Sequence, residues 1–413
     1  MKHLLSTLIL SAAICPLLIA AEALAPVPRP GPAPEVPLDA IAAARDRGVA
    51  YLLKSQNKDG SWGGCRMTKG LNITSDVPGG HYAFTTATTS LAIESLILSG
   101  PESPVVKTAI DRAETWLVGI LPKVRRASDG QLYNCWAHSY AIKACLALRN
   151  RPGTSGEKKT ALLEAARSQV AMLERFEFLN GGWGYYDFEF ITQKPTGIGT
   201  SFTTATALIA LRQAREAGIG VPQKMIDNAV GAVLAQRTPD GAFVYSFDHR
   251  KRPRLDINRP AGSLGRAPAC NAALRLWTGT DHISDQDIKD WLDRLITRGG
   301  WLDAASKRPI PHEAWFKNSG YFLFYGQYYA AYCTLLLPEK ERPFYRAHLA
   351  KHLLDLQESD GTWWDYPLYD YHQPYGTSYA LSALAWLEPR LKTTPVATGK
   401  ADPPPQARTT ITP

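Results

Sequence analysis

One unit of secondary structure is written into this chain again and again, and that repetition limits the folds open to it more than any other feature. The clearest copy is RGVAYLLKSQNKDGSWGG, Arg47 to Gly64. A stretch of helical period ends at Gln56, a polar turn follows, and then comes Gly60-Ser61-Trp62. After a loop, the second half of the unit is FTTATTSLAIESLIL, Phe84 to Leu98. The same order returns near the far end as HLLDLQESDGTWW, His352 to Trp364, and YGTSYALSALAWL, Tyr375 to Leu387. Four more worn copies lie between them. Their turn aromatics complete the series Trp62, Tyr133, Trp183, Phe243, Trp301 and Trp363, spaced 50 to 71 residues apart. A near-constant period of this kind means one supersecondary motif copied in series.

The two halves of each unit have different faces. In the first half Val49, Leu52, Leu53 and Gln56 fall at i, i+3, i+4 and i+7, a one-sided stripe. The second half is apolar or small nearly all round, as in Ala87, Leu91, Ala92, Ile93, Leu96 and Ile97, which is the mark of a buried helix. Half-exposed helices alternating with buried ones predict two layers. Neither terminal unit has the polar outer face of a solenoid cap, so the expected fold is all-α, with six helix hairpins closed into an α/α toroid.

Composition sets the boundaries. Six of the 30 prolines fall between Pro26 and Pro37, and the chain from Thr393 onward is rich in Thr and Pro. The expected organisation is an export signal over 1–23, a Pro-rich linker over 24–38, the toroid over 39–391, and a disordered tail over 392–413. The signal reading rests on Lys2 and His3, the apolar run Leu4 to Ala20, and the small-x-small site Ala21-Glu22-Ala23. It implies a periplasmic, secreted or N-terminally anchored protein with no integral membrane domain after cleavage. Beyond it lie five cysteines, Cys65, Cys135, Cys145, Cys270 and Cys333, without a C-x-x-C pair, so their pairing stays open. A net charge of +8 over 413 residues gives no reason to expect a nucleic-acid partner.

The repeat resembles that of the squalene–hopene cyclases, also called the prenyltransferase and squalene oxidase repeat. Arg47-Gly48, Tyr51-Leu52-Leu53, Gln56 and Gly60-Ser61-Trp62 carry the likeness, and Gln357, Gly361 and Trp363 carry it a second time. Gly182-Trp183 and Gly300-Trp301 are partial matches, and Gln236 precedes Gly241-Ala242-Phe243 with the aromatic changed. The resemblance covers about 350 residues and implies the toroid of terpenoid cyclases and protein prenyltransferase β subunits. Within it, Gln56, Trp62, Trp183, Gln236, Trp301, Gln357 and Trp363 are expected to staple neighbouring units, the amide bridging helix ends and the indole packing between pairs.

The chemistry that the resemblance implies is not written in the chain. Class II cyclases use an Asp of a D-x-D-D motif, and there is none here; Asp285-Gln286-Asp287 with Asp290 is the nearest text and opens an outer helix. A D-D-x-x-D diphosphate motif is also missing. The prenyltransferase zinc set would need an Asp-x-Cys where Asn318-Ser319-Gly320-Tyr321 stands, and the thioester Cys-Gly-Glu-Gln is absent. Cys135 with His138 and His81, and His348 with His352, fall short of a metal site, so neither metal nor cofactor is expected. The candidate catalytic residues are the rim residues Asp76, His81, Asp370 and His372. Asp187, His312, Glu313 and the aromatics Tyr185, Tyr186, Phe188, Trp315, Phe316, Tyr369, Tyr371 and Tyr375 share that rim, and the basic run His249 to Arg254 offers an anion clamp. Two readings follow: a diverged cyclase-type enzyme holding an apolar, isoprenoid-like ligand, or a non-catalytic toroid that binds a lipid, glycan or protein.

Overall fold

The computed structural model describes residues 27–68, 78–188 and 194–388. Among them the helices are α1 (Leu38–Ser55), α2 (Gly79–Ser99), α3 (Pro104–Ile120), α4 (Asn134–Asn150), α5 (Gly156–Phe176), α6 (Ser201–Glu216), α7 (Gln223–Ala235), α8 (Ala267–Thr278), α9 (Asp285–Arg298), the short α10 (Gly300–Asp303), α11 (Leu323–Leu336), α12 (Arg342–Asp355) and α13 (His372–Leu387). The expected signal and the tail beyond 392 lie outside the described residues.

The nearly all-apolar helices form the inner layer. α2, α4, α6, α8, α11 and α13 each pack on the next, and α13 returns to α2, which closes the ring. Every residue of α11 except Leu335 is buried. The one-sided helices lie outside, with α3 on α2, α5 on α4, α7 on α6, α9 on α8, α12 on α11, and α1 on α13. α1 buries only its stripe, Ile41, Ala44, Gly48, Val49 and Leu52. Each large apolar side chain so buried contributes roughly 1.5–3 kcal/mol. Local signals fix the starts of three outer helices. Ser103 and Ser155 cap α3 and α5, and Ser284 with Asp287 makes a capping box on α9, so the acidic Asp285–Asp287 text is a helix start.

The turn between layers is a repeated device. Asp59 Oδ1 accepts from the Ser61 backbone and hydroxyl at 3.0 and 2.7 Å, and Asp360 does the same for Thr362 at 3.0 and 2.7 Å. Gly60, at φ 98°, lies so near the next outer helix that a Cβ would come within 2.6 Å of Arg112 O. Trp62, Trp183 and Trp363 then insert between the layers, all three fully buried. Their indole N–H groups donate to Leu52 O, Leu173 O and Leu353 O at 2.8, 2.8 and 2.7 Å. Their backbone N–H groups donate to Thr89, Thr204 and Thr377 Oγ1 on the inner helices at 3.0, 3.0 and 3.1 Å. Gln56 Nε2 bridges to Ala109 O of α3 at 2.8 Å, and Gln357 Nε2 to Ala44 O of α1 at 2.9 Å, across the closure of the ring.

Three members of the expected series depart from this pattern. Gln236 Nε2 donates to Ala232 O of its own helix at 3.0 Å and bridges to no neighbour. Tyr133 turns inward and donates to the Tyr186 hydroxyl at 2.9 Å. Trp301 sits in α10, half-buried, with its ring on Trp315 and Phe316. Gly299 is in the α region there (φ -55°, ψ -26°), so the chain winds on where the other units turn.

A buried ion pair ties three inner helices. Lys143 Nζ of α4 lies 3.0 Å from Glu94 Oε2 of α2, which also accepts from the Tyr328 hydroxyl of α11 at 3.0 Å. Burial pulls the Lys143 pKa down and Glu94 opposes that shift. Breaking one partner of such a pair costs about 3–5 kcal/mol. Residues 27–37, within the expected linker, are laid along the outer surface: Arg29 Nη1 meets Asp293 Oδ2 of α9 at 2.7 Å, and His348 Nε2 of α12 donates to Gly31 O at 3.2 Å.

Trp363→Ala should lose about 3–5 kcal/mol of unfolding free energy, and Trp301→Ala about 1 kcal/mol or less. Urea denaturation of the two variants reads the difference directly; equal losses would refute the distinction between clasping and non-clasping tryptophans.

Candidate functional site

The loops that enter the inner helices all sit at one end of the ring, and a cavity of about 330 Å³ opens among them. Its wall is aromatic. Tyr133, Trp136, Tyr185, Phe202, Tyr245, Tyr321, Phe322, Tyr325, Tyr366, Tyr375 and Tyr379 line it, with Phe84, Ala87 and Leu91 of α2 on the remaining side. The tyrosine hydroxyls are largely satisfied by one another. Tyr140 meets Tyr379 at 2.5 Å, Tyr133 meets Tyr186 at 2.9 Å, and Tyr325 bonds Thr206 and Phe202 O at 3.0 Å. What remains facing inward is ring surface, which is apolar and bears the negative face of the π quadrupole.

One carboxyl stands behind this wall. Asp365 follows the clasp residue Trp363 by two positions and is fully buried. Its Oδ2 accepts from the Phe324 backbone N–H at 2.9 Å, and its Oδ1 lies 2.9 Å from the hydroxyl of Tyr375, a cavity residue. Burial pushes the Asp365 pKa up to about 7, against the lowering effect of these hydrogen bonds. Near neutral pH the group is therefore poised between acid and carboxylate.

A second polar line borders the same cavity. His312 Nδ1 is 2.7 Å from Lys317 O, and since a carbonyl only accepts, Nδ1 carries the proton. Nε2 is then an acceptor, and the Tyr321 hydroxyl donates to it at 3.0 Å. Tyr245 continues the line, 3.3 Å from Tyr321 and hydrogen-bonded to Tyr185. Burial lowers the His312 pKa, so the imidazole is neutral. Backbone strain gathers here too. Among the described residues every non-glycine with positive φ, Lys307, His312, Phe316, Lys317 and Tyr369, lies in the two mouth loops that precede α11 and α13.

The rim candidates from the sequence are placed less centrally. His81 is buried with Nδ1 2.9 Å from the Tyr371 hydroxyl, and Tyr371 lines the cavity while His81 stands behind it. Asp370 is taken by Arg66 in a two-pronged pair at 2.9 and 2.7 Å. His372 Nδ1 donates to Tyr369 O at 2.5 Å, and its ring lies on Trp364. Asp76 lies outside the described residues. His138 is buried between Gln169 and Asn134, at 2.7 and 3.2 Å, with its pKa pushed down to about 4, and the neighbouring Cys135 thiol is pushed up to about 12, both by burial. Among the described residues no three His, Cys, Asp or Glu side chains gather as a metal site, and no disulfide forms. Within the basic loop Arg250 lies over the Phe247 ring, and the buried Arg266 is spent on the carbonyls of Phe243 and Gly262, at 2.8 and 2.6 Å. Asp365 is the residue that sequence reasoning missed. Its one signal is its place in Trp364-Asp365-Tyr366, an acid between aromatics just past a clasp.

No protein-family model matches the chain, and no curated protein matches it. Among solved structures it is similar to an inactive variant of an α-1,6-mannanase of Salegentibacter sp. HEL1_6, with 13% identity over 84% of this chain and 99% of that one and a TM-score of 0.51. A type II terpene cyclase, MstE from Scytonema, gives 13% identity over 84% and 98% with a TM-score of 0.48. A possible GH105 family member from Klebsiella pneumoniae gives 12% over 92% and 98% with a TM-score of 0.49. At such identities the likeness is one of architecture. The chain is an α/α toroid.

Proposed function

We propose that this toroid holds an apolar, isoprenoid-like ligand in its central cavity and is a diverged terpenoid-cyclase-type enzyme whose proton donor is Tyr375 backed by Asp365. The observation that carries the reading is the buried Asp365 carboxyl, one hydrogen bond behind a phenol in an aromatic wall. When Asp365 is protonated, Oδ1 donates to the Tyr375 oxygen, and the phenol proton is freed toward the cavity. Delivery of that proton leaves the Asp365 carboxylate. Ring faces stabilise the cation that forms on the ligand. Loss of a proton to the Tyr321 oxygen, with transfer of the phenol proton to His312 Nε2, completes an isomerisation without any co-reactant. Acid and base with pKa values displaced in opposite directions on one cavity are the arrangement such chemistry needs. Asp365 near 7 is a weak acid, and burial also pushes the Tyr375 phenol above its ordinary value, so an epoxide oxygen suits the pair better than an unactivated alkene. About 330 Å³ lies at the small end of the roughly 300–1,000 Å³ typical of ligand sites. Export remains part of this proposal; among the described residues no helix is long and apolar enough to cross a membrane.

Glycoside hydrolysis fits less well. It needs two carboxyls flanking the bond, roughly 5–9.5 Å apart, and among the described residues no Asp or Glu lines this cavity. The missing D-x-D-D favours a second reading, binding without turnover.

Incubation with an epoxyfarnesol followed by mass spectrometry separates the two. Ring-opened or cyclised isomers should form with the unaltered chain and fall at least ~100-fold with Asp365→Asn or Tyr375→Phe. Farnesol should still raise the melting midpoint of both variants. Stabilisation without product leaves the binding toroid; no stabilisation defeats the enzyme reading and an isoprenoid ligand, leaving only a toroid for a glycan, protein or other lipid.

Asp365 also predicts a pH dependence. Its pKa is raised from 3.8 unfolded to about 7 folded, so the folded state holds the extra proton between those values. Stability from this group therefore falls as pH rises from about 4 to about 7, and is level above. Asp365→Asn keeps both hydrogen bonds, with Oδ1 accepting from Phe324 and Nδ2 donating to Tyr375. Urea midpoints at pH 5 and pH 8 should show the wild type losing on the order of 2–3 kcal/mol more than the variant.

A further inference from the structure

The unit in which Trp301 leaves its clasp position has a slot with polar walls. Aligning the last outer helix on the first through Gln56 with Gln357 and Trp62 with Trp363 sets Gly48 against Leu349. Gly48 is where the Trp363 ring of the preceding unit passes: a Cβ there would meet that ring at 2.8 Å. Aligning Tyr375-Gly376-Thr377-Ser378-Tyr379-Ala380 with Tyr325-Gly326-Gln327-Tyr328-Tyr329-Ala330 sets Gln327 where Thr377 accepts the clasp backbone. Leu349, Gln327 and the end of α9, Leu295 and Ile296, line a separate cavity of about 230 Å³. It is the fifth unit's clasp slot, and Trp301 is not in it.

The slot is not simply a packing defect. Gln327 is 2% exposed, and its Oε1 has no hydrogen-bond partner. Asp303 Oδ1 and His352 Nε2, also in the wall, stand 3.3 Å apart, an ion pair when the imidazole is protonated, and neither has a further hydrogen bond. Lys351 is already paired with Asp355 at 2.7 Å. The buried Gln327 Oε1, left unpaired, costs about 1–3 kcal/mol. Two of these three atoms only accept, and one of those belongs to a carboxylate. The apolar half, Leu295, Ile296 and Leu349, faces the space that an indole fills in the units of Trp62, Trp183 and Trp363. Pro34 of the N-terminal segment forms part of the rim.

We propose that this slot binds a small primary ammonium with an aromatic or aliphatic body, its N–H groups donating to Gln327 Oε1 and Asp303. The site is separate from the central cavity, and the proposal does not depend on what that cavity does.

Tryptamine is the direct probe, since it joins an indole body to an ammonium; indole-3-acetate is its anionic counterpart. Titrated into the full chain, tryptamine should raise the melting midpoint by mass action, and indole-3-acetate should not. Asp303→Asn, a conservative change at a half-exposed side chain, should weaken the tryptamine dissociation constant at least ~10-fold, and Gln327→Leu should weaken it likewise. Helical circular dichroism equal to wild type shows that each variant is folded. No response of the wild type to tryptamine overturns the proposal. So does an undiminished response in Asp303→Asn, which would place the ligand elsewhere, as on the ring faces of the central cavity.

Discussion

Everything in this molecule depends on the return of α13 to α2. A helix that is apolar on every side has no stable place in a single layer, because any face left uncovered stays in water. A closed ring removes the last uncovered edge. The seam is built with more polar reinforcement than packing alone would need. Ser99 Oγ donates to Leu381 O at 2.8 Å, Arg45 reaches both Glu388 and Ser99 O, and Gln357 crosses to Ala44. All but the Arg45–Ser99 O bond join the first and last units, which are also the two best copies of the repeat. The inner copies are held on both sides by chain continuity and can drift further.

That drift explains what the sequence did and did not disclose. The layers were legible because helical period and the Asp-Gly turn are local properties: Asp59 and Asp360 each fold their own three-residue turn. Clasps at Trp62, Trp183 and Trp363 were legible for the same reason. Trp301 carries a similar Gly-Trp text but depends on whether Gly299 turns or continues the helix, and that is settled by the packing of α10. Tyr133 has the right position in the repeat but a hydroxyl that finds Tyr186, so it joins the cavity. Sequence named the mouth aromatics Tyr185, Tyr186, Tyr371 and Tyr375 but not Asp365. A carboxyl announces itself through burial and partners, and both come from residues distant in sequence, the backbone of Phe324 among them.

The rim acids and histidines illustrate the converse. Asp370 and His372 flank the cavity entrance in sequence, yet Arg66 and the Tyr369 carbonyl already satisfy them. Position at a ring mouth is a weak guide to chemistry when charged side chains can pair locally. The informative residues are those whose polar ends have nowhere to go except one another or a ligand.

The cavity is asymmetric in just that sense. Across most of the wall, hydroxyls pair with hydroxyls and leave bare ring faces. On the side built by the loops before α11 and α13, Asp365, Tyr375, Tyr321 and His312 form two short lines with a proton at one end and an acceptor at the other. A ligand with one oxygen-bearing end and an apolar body would therefore be oriented before any reaction, its polar end against those loops and its body against α2. Positioning of that kind contributes to catalysis by itself. The same loops carry the positive-φ residues His312 and Tyr369, so backbone strain and the two polar lines lie together at this edge. An unreactive hydrocarbon would use the ring faces and gain nothing from this polar edge. On the proposed function, the edge thus favours a ligand that carries oxygen.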